Sequence, residues 1–251
     1  MYIRTKNCFQ IVLSLCLVLC MVNAQADQVE GNGILQGFDV SIASFHTLVV
    51  DGPFHLSLSN RTSAGCNNIQ LASDENLVKS VLVKQEGGVV TLSTKQPVLP
   101  SARISVSLDC NNLRVIEISN YASGHVHATK GTSLNVVCEN AYFAVSGHPN
   151  KVTARLVNSG VISLLSVGGM DRADLQVING GFIYTLEPAE HVEFSASGVG
   201  EIHIYRPGYK KNTYKRIQPG IYERAIGFDD IASNSNRMKF RDWGRARERM
   251  R

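Results

Sequence analysis

Between Leu113 and Tyr205 a short apolar run, a corner of small polar residues and a second short apolar run recur at a nearly constant interval. Ile118-Ser119-Asn120-Tyr121-Ala122, Val137-Cys138-Glu139-Asn140-Ala141, Leu156-Val157-Asn158-Ser159-Gly160, Val177-Ile178-Asn179-Gly180-Gly181 and Phe194-Ser195-Ala196-Ser197-Gly198 are its five copies. Counted at Ala122, Ala141, Gly160, Gly181 and Gly198, they fall 19, 19, 21 and 17 residues apart. A period near 20 residues with strand-like flanks marks a stacked repeat, and a turn that small buries its apolar face only against the turns before and after it. The Asn, Ser, Gly and Ala positions suit tight corners, where small side chains and positive φ are tolerated.

Alternation fixes which side chains face inward. In Val152-Thr153-Ala154-Arg155-Leu156 and Ala173-Asp174-Leu175-Gln176-Val177 apolar residues alternate with polar ones, so Val152, Ala154, Leu156, Ala173, Leu175 and Val177 are expected inside. The run Leu134-Asn135-Val136-Val137-Cys138 fits one residue out of phase, leaving open whether Val136 or Val137 points in. Before the repeats, strand-length segments are expected at Val40 to Phe45, Thr47 to Val50, Phe54 to Leu58, Ile69 to Ala72, Val78 to Val83, Val89 to Leu92 and Ile104 to Leu108. Asp51-Gly52-Pro53, Glu86-Gly87-Gly88 and Gln96-Pro97 supply the turns between them. The chain is thus read as a single all-β domain.

Residues 1–24 read as a secretory signal: Arg4 and Lys6 precede an apolar run from Ile11 to Val22, with small residues at Ala24 and Ala26 for cleavage. That run is shorter than the ~20 residues that span a bilayer. Leu17-Val18-Leu19-Cys20 ends in cysteine, but a lipid-modified signal wants a small residue where Leu19 stands. The mature chain is expected to begin near Gln25 or Asp27, with a polar lead-in over residues 25–37, the β domain over 38–205 and a separate tail over 206–251. Export leaves Cys66, Cys110 and Cys138. Cys66 and Cys110 each precede Asn-Asn at the junction of a polar turn and an apolar run, so they form the expected disulfide, and Cys138 inside an apolar run is expected as a buried thiol.

The tail holds 13 Lys or Arg against 5 Asp or Glu, whereas residues 25–205 hold 10 against 16. Pro207, Gly208, Pro219 and Gly220 argue against a regular element at its start, and Asn236 to Arg251 suit a short basic helix. Lys210, Lys211, Lys215, Arg216, Arg245 and Arg247 are the candidate contacts for an anionic partner, lipid or glycan. Tyr209, Tyr214 and Tyr222 among these cations resemble a nucleic-acid patch in composition, a reading that export opposes.

The lead-in Gly31-Asn32-Gly33, the Phe45 to Leu58 segment with its Val-Asp-Gly-Pro-Phe turn, Ile69-Gln70-Leu71-Ala72-Ser73-Asp74-Glu75-Asn76-Leu77 and Ser197-Gly198-Val199-Gly200-Glu201-Ile202 together resemble the auto-transporter adhesin, head GIN domain family of exported bacterial proteins. Asn140-Ala141 and Asn158-Ser159 stand where that family more often has Gly-Ser-Gly. The resemblance, over about residues 31 to 208, implies a right-handed β-helix-like solenoid of two sheets, no catalytic residues and a role in adhesion at the cell envelope.

Glu117, Glu139, Asp171, Asp174, Glu187, Glu190, Glu193 and Glu201 are spread over different phases of the repeat, as a solvated outer face would be; Glu193 and Glu201 are the pair best placed to meet across a corner. His125 and His127 flank Val126 and point the same way, a two-imidazole arrangement without a visible third ligand. Phosphate loops, a Gly-x-Ser-x-Gly elbow and Cys-x-x-Cys pairs are absent from the sequence, which removes nucleotide, hydrolase and zinc-ribbon readings, and no cofactor is expected. Asn60-Arg61-Thr62 matches a glycosylation acceptor. The expectation is a non-enzymatic exported protein, located in the periplasm, at the outer-membrane surface or outside the cell. It would bind an envelope or host-surface partner through a repetitive β surface, with self-association through strand edges as a further reading. The alternative is a carbohydrate-binding or polysaccharide-cleaving β-helix protein.

Overall fold

In Phe54-His55-Leu56-Ser57-Leu58 and Ile104-Ser105-Val106-Ser107-Leu108 every second side chain is buried and those between are exposed. That pattern demands one face against a core and one against water. The computed structural model describes residues 28–60, 66–186, 191–205, 214–217 and 222–226. Over these the chain is all-β, with one short 3-10 turn at Glu75–Ser80.

The N-terminal strands are β1 (Val29–Glu30), β2 (Leu35–Ser41), β3 (Thr47–Asp51), β4 (Phe54–Ser59), β5 (Asn68–Asp74), β6 (Val81–Glu86), β7 (Val89–Thr94), β8 (Val98–Leu99) and β9 (Ile104–Asp109). There follow β10 (Val115–Ser119), β11 (Ser123–Ala128), β12 (Ser133–Gly147), β13 (Lys151–Val167), β14 (Arg172–Ile178), β15 (Phe182–Leu186), β16 (His191–Ala196), β17 (Glu201–Tyr205), β18 (Tyr214–Ile217) and β19 (Tyr222–Ile226). β12 and β13 each run through a corner, so their two halves pair in different ladders.

Two parallel ladders result. One runs β7, β3, β10, first half of β12, first half of β13, β14, β16. The other runs β9, β4, β11, second half of β12, second half of β13, β15, β17. Each rung supplies one strand to each. Their inward rows, such as Leu48, Ile116, Val136, Ala154, Leu175 and Phe194 on one side and Leu56, Phe143, Ile162, Ile183 and Ile202 on the other, are buried in a single core. All six residues expected inside in the Val152 and Ala173 turns are buried there. Val136 points in with Cys138, and Val137 lies half-buried on the outer face, which settles the open phase.

From residue 115 onward spatial order follows chain order: Val136 lies beside Ala154, Ala154 beside Leu175 and Leu175 beside Phe194, steps of 18, 21 and 19 residues. Earlier it does not. The β3–β4 rung is inserted between the β7–β9 rung and the β10–β11 rung, so Leu48 pairs with Ile116, 68 residues away. The Cys66–Cys110 disulfide forms just beyond the paired ends Ser59 and Asp109 of β4 and β9. It therefore staples the rung whose neighbours in space are not its neighbours in the chain.

The corners carry left-handed residues at Asn120, Asn140, Asn158, Asn179 and Gly198. Asn, with a short side chain that bonds locally, tolerates this conformation better than other non-glycine residues. The corner amides are linked along the stack: Asn179 Nδ2 donates to Asn158 Oδ1 at 3.0 Å, Asn158 Nδ2 to Glu139 Oε1 at 2.9 Å and Asn120 Nδ2 to Asp51 Oδ1 at 2.6 Å. This corrects the last repeat as read from the sequence. Gly198 takes the asparagine position of its corner, and Phe182 pairs with Glu201, so the 17-residue step is a 19-residue step in register.

Two of the segments that carried the family resemblance meet at the N-terminal end. Gly33 N–H donates to Asp74 Oδ1 at 2.8 Å, Asn32 N–H to Asn76 Oδ1 at 3.0 Å, and Asn76 Nδ2 to the Glu30 carbonyl at 2.7 Å. A Cβ on Gly31 would fall on the Asp74 carboxylate. Asp74 is fully buried, and Ser101 serves it twice, through its hydroxyl and through its N–H at 2.9 Å. The Ser101 hydroxyl, followed by the N–H groups of Ser101 and Gly33, holds the Asp74 carboxyl below the usual carboxylate range, although burial pushes the other way. A depressed folded-state pKa gives stability that is present above the unfolded value, near 4, and lost as pH falls through the folded one. Asp74→Asn is therefore expected to lower Tm most at neutral pH, with the gap to wild type closing below pH ~4; melts from pH 2 to 7 check it.

Four expectations change. The strand expected at Val78 to Val83 is β6, Val81–Glu86, because the 3-10 turn at Glu75–Ser80 takes Val78 to Ser80 and packs Leu77 into the core. The strand expected at Val40 to Phe45 is β2, Leu35–Ser41, running antiparallel to β5; the alternation of Phe38 and Val40 continues back into the glycine-containing lead-in. The region expected to be irregular after Tyr205 contains β18 and β19, antiparallel to β17 and β16, because the last rung offers two open edges that local Pro and Gly do not prevent the chain from filling. Asn60 is no open acceptor: it is buried, its Nδ2 donates to Thr132 Oγ1 at 3.3 Å and its Oδ1 accepts from Thr129 N–H at 2.7 Å. The proposed signal at 1–24 and the basic helix at 236–251 lie outside the described residues.

Candidate binding ridge

The corner that holds the asparagines also holds four exposed apolar side chains; the others among the described residues, Ile34, Leu35 and Leu99, lie on the N-terminal segments. Tyr121 is 71% exposed, Tyr142 40%, Phe182 38% and Val199 81%, all on the corner side between the two ladders. Isolated exposed apolar residues are ordinary; four along one edge of a stack are not. Tyr142, Val161 and Phe182 stand in register on neighbouring rungs. Tyr121 is held with a left-handed backbone, φ 69°, an unusual conformation for a bulky residue, by its N–H donating to the Asn140 carbonyl at 2.9 Å. Arg103 Nη1 donates to the Tyr121 carbonyl at 2.8 Å and to Ser123 Oγ at 2.6 Å, fixing the corner from the other side.

Along β15 the ridge continues onto the outer sheet face. Phe182 and Tyr184 lie nearly parallel with ring centroids 6.0 Å apart, and Tyr184 lies 5.0 Å from the His203 ring. His203 Nε2 and Glu201 Oε2 are 3.0 Å apart. The sequence reading missed this ridge. Its trace was present, since each exposed residue follows its corner asparagine or glycine by one to three positions: Asn120-Tyr121, Asn140 to Tyr142, Asn179 to Phe182 and Gly198-Val199.

At the N-terminal end of the same face serines and histidines replace the aromatics. His125 and His127 do point the same way, outward on either side of buried Val126. His55 Nδ1 lies 3.0 Å from Ser123 Oγ, Ser57 Oγ 3.5 Å from His125 Nε2 and His127 Nδ1 3.2 Å from Ser146 Oγ. Partial burial, then His125 and Arg103, hold His55 below the usual imidazole pKa and keep it neutral at pH 7. Among the described residues no group of three or more His, Cys, Asp or Glu is placed to hold a metal ion.

The other sequence candidates fall apart in space or lie elsewhere. Glu193 belongs to β16 and Glu201 to β17; with Phe194 and Ile202 both in the core, the two carboxylates lie on outer faces of different ladders and do not converge. Glu139 is engaged by Asn158, and Asp174 pairs with Lys151 at 2.6 Å. Cys66 and Cys110 are bonded, and Cys138 is a free buried thiol whose pKa burial drives far up. Lys215 and Arg216 lie on β18, opposite Ile204 and His203. Lys210, Lys211, Arg245, Arg247, Glu187 and Glu190 lie outside the described residues.

Comparison with curated proteins gives no match. Among solved structures the fold is similar to a putative adhesin from Parabacteroides merdae, at 20% identity and a TM-score of 0.52 over 71% of this chain and 84% of that one. It is also similar to a putative lipid binding protein from Parabacteroides distasonis, at 17% identity and TM-score 0.51 over 71% and 92%. A putative adhesin from Bacteroides fragilis shares it at 14% identity and TM-score 0.50 over 69% and 89%. A family model covers residues 44–210, from just before the inserted β3 rung to just past the last parallel rung, and by that match the chain belongs to the family described as putative auto-transporter adhesin, head GIN domain.

Proposed function

We propose that this is a non-catalytic, exported cell-envelope protein that presents a repetitive β surface for binding, in adhesion or envelope organisation. The observation that supports it most is the ridge of Tyr121, Tyr142, Phe182 and Val199 beside the asparagine corner, a row of exposed apolar groups that the core does not use. The parallel pairings at 18 to 21 residues support reading the stack as a right-handed β-helix-like solenoid of two sheets. Export accords with the family and with the Cys66–Cys110 bridge, which persists in oxidising compartments.

A carbohydrate ligand is the second reading, favoured by the paired Phe182 and Tyr184 rings, which offer flat apolar faces beside polar side chains. The lipid-binding designation of the Parabacteroides distasonis structure keeps anionic lipid, reached through the basic segment with Lys210, Lys211, Lys215, Arg216, Arg245 and Arg247, as the competing partner. The test measures binding of the mature chain from Gln25 to isolated envelope fractions and a polysaccharide panel, at low and high salt. Three variants accompany it: Tyr121→Ala with Tyr142→Ala, Phe182→Ala, and a chain ending after Ile226. The cut spares β18 and β19, which are part of the fold. Salt-insensitive binding to one glycan that drops about tenfold or more in the aromatic variants places the site on the ridge. Salt-sensitive binding that the aromatic variants keep and that weakens on removal of residues 227–251, which carry Arg245 and Arg247, assigns it to the basic segment instead. No binding to any fraction overturns the reading.

A further inference from the structure

The ladders end at β16 and β17, and the chain then lays β18 along β17 and β19 along β16, both antiparallel. Every earlier step, from β7 to β16 and from β9 to β17, is parallel. The opposite end is closed in the same style, by β6 antiparallel to β7 and β5 antiparallel to β9. A bare terminal rung would present two rows of unpaired N–H and C=O groups, a ready template for another chain.

We propose that the double edge of β16 and β17 is a dimerisation surface for a second copy of this chain, held shut by β18 and β19. An edge that already accepts its cover antiparallel accepts its own counterpart without reshaping. A twofold axis normal to the sheets sets β17 against β17 of the second copy and β16 against its β16, both antiparallel, in one movement. The end of the core beneath this edge is apolar, with Val192, Phe194 and Ala196 from β16 and Ile202 and Ile204 from β17 all buried, and a second identical end covers it as well as the cap does.

The two ends differ in how their covers are tied. β5 and β6 lie between rungs in the chain, and the Cys66–Cys110 bridge closes the segment that contains them. β18 and β19 instead follow the last rung in the chain and lie outside the segment that the bridge closes. One end opens and the other does not, so association is isologous and closes at two chains instead of growing into a fibre.

The test uses the full mature chain with Lys215→Pro and Arg224→Pro, since proline removes an N–H and does not fit a paired antiparallel strand. Solution mass by light scattering is followed over a concentration series, beside the β signal in circular dichroism. Wild type is expected at the mass of one chain, and the variant at the mass of two, separating on dilution. A variant that keeps its sheet signal and stays at one chain throughout overturns the proposal, as does an open-ended series of masses. Should the double variant lose its sheet signal, Lys215→Pro and Arg224→Pro made singly each open one edge. Each is expected to give a weaker dimer, and two strictly monomeric, folded single variants overturn the proposal.

Discussion

Replacing Cys66 and Cys110 together by alanine is expected to cost about 4 kcal/mol, the chain-entropy value for a closed segment of 44 residues. In a domain of this size that lowers Tm by roughly 8 to 16 °C. The effect is large because of what the bridge encloses. β5 to β9 leave the stack after β4 and must return to pair β7 with β3 and β9 with β4, a long-range closure that the unfolded chain makes at high entropic cost. Cys138 is buried in the core with a strongly raised thiol pKa, so it does not exchange into the bridge in the folded protein, and a Cys138→Ala background removes its exchange once urea exposes it. Urea unfolding of wild type with and without reductant, against the double alanine variant, checks the value. A loss under about 1 kcal/mol would show that the inserted rung holds its place by strand pairing alone.

Gly160→Ala is expected to cost about 3 to 5 kcal/mol, at the upper end of single-substitution effects. Two causes add at this corner. Its φ of +126° is one that an L side chain rarely adopts, and an added Cβ would land on the carbonyl oxygen of Ala141, its in-register neighbour one rung down. Neither atom has room to move, since the Ala141 and Gly160 backbones belong to the central, longest strands of both ladders. Gly131→Ala is the control. It also has positive φ, +86°, but nothing lies within 4 Å of the added Cβ, so only the conformational part remains, about 1 to 2 kcal/mol. Thermal melts of the two variants separate strain in one residue from collision between rungs; equal losses would mean the rungs are less tightly stacked than their pairing implies.

The candidate site was far less legible than the fold. Tyr121 and Tyr142 read in sequence as ordinary members of a repeat, since nothing in Asn120-Tyr121 or Ala141-Tyr142 says whether a ring lies in the core or in water. Position around the corner decides it: Ala141 fills the interior there, which leaves Tyr142 outside. The acidic pair gave the opposite error. Glu193 and Glu201 are eight residues apart across a corner and look close, yet the corner turns the chain from one ladder to the other and sends their side chains apart.

What the sequence by itself determined was local. Alternation placed Val152, Ala154, Leu156, Ala173, Leu175 and Val177 inside, the recurrence near 20 residues announced the stacked rungs, and two matched Cys-Asn-Asn turns named the disulfide. Each rests on side-chain periodicity or local chemistry, which a chain carries wherever it folds. Tertiary structure decided the order of the rungs and the closing of the ends. Any parallel strand of the right length and inward pattern can lie on any other, so nothing local specifies that β3 sits between β7 and β10 and not first in the stack. That choice, and the capping of β16 and β17 by the following strands, follow from burying the core and pairing the edges of the last rung.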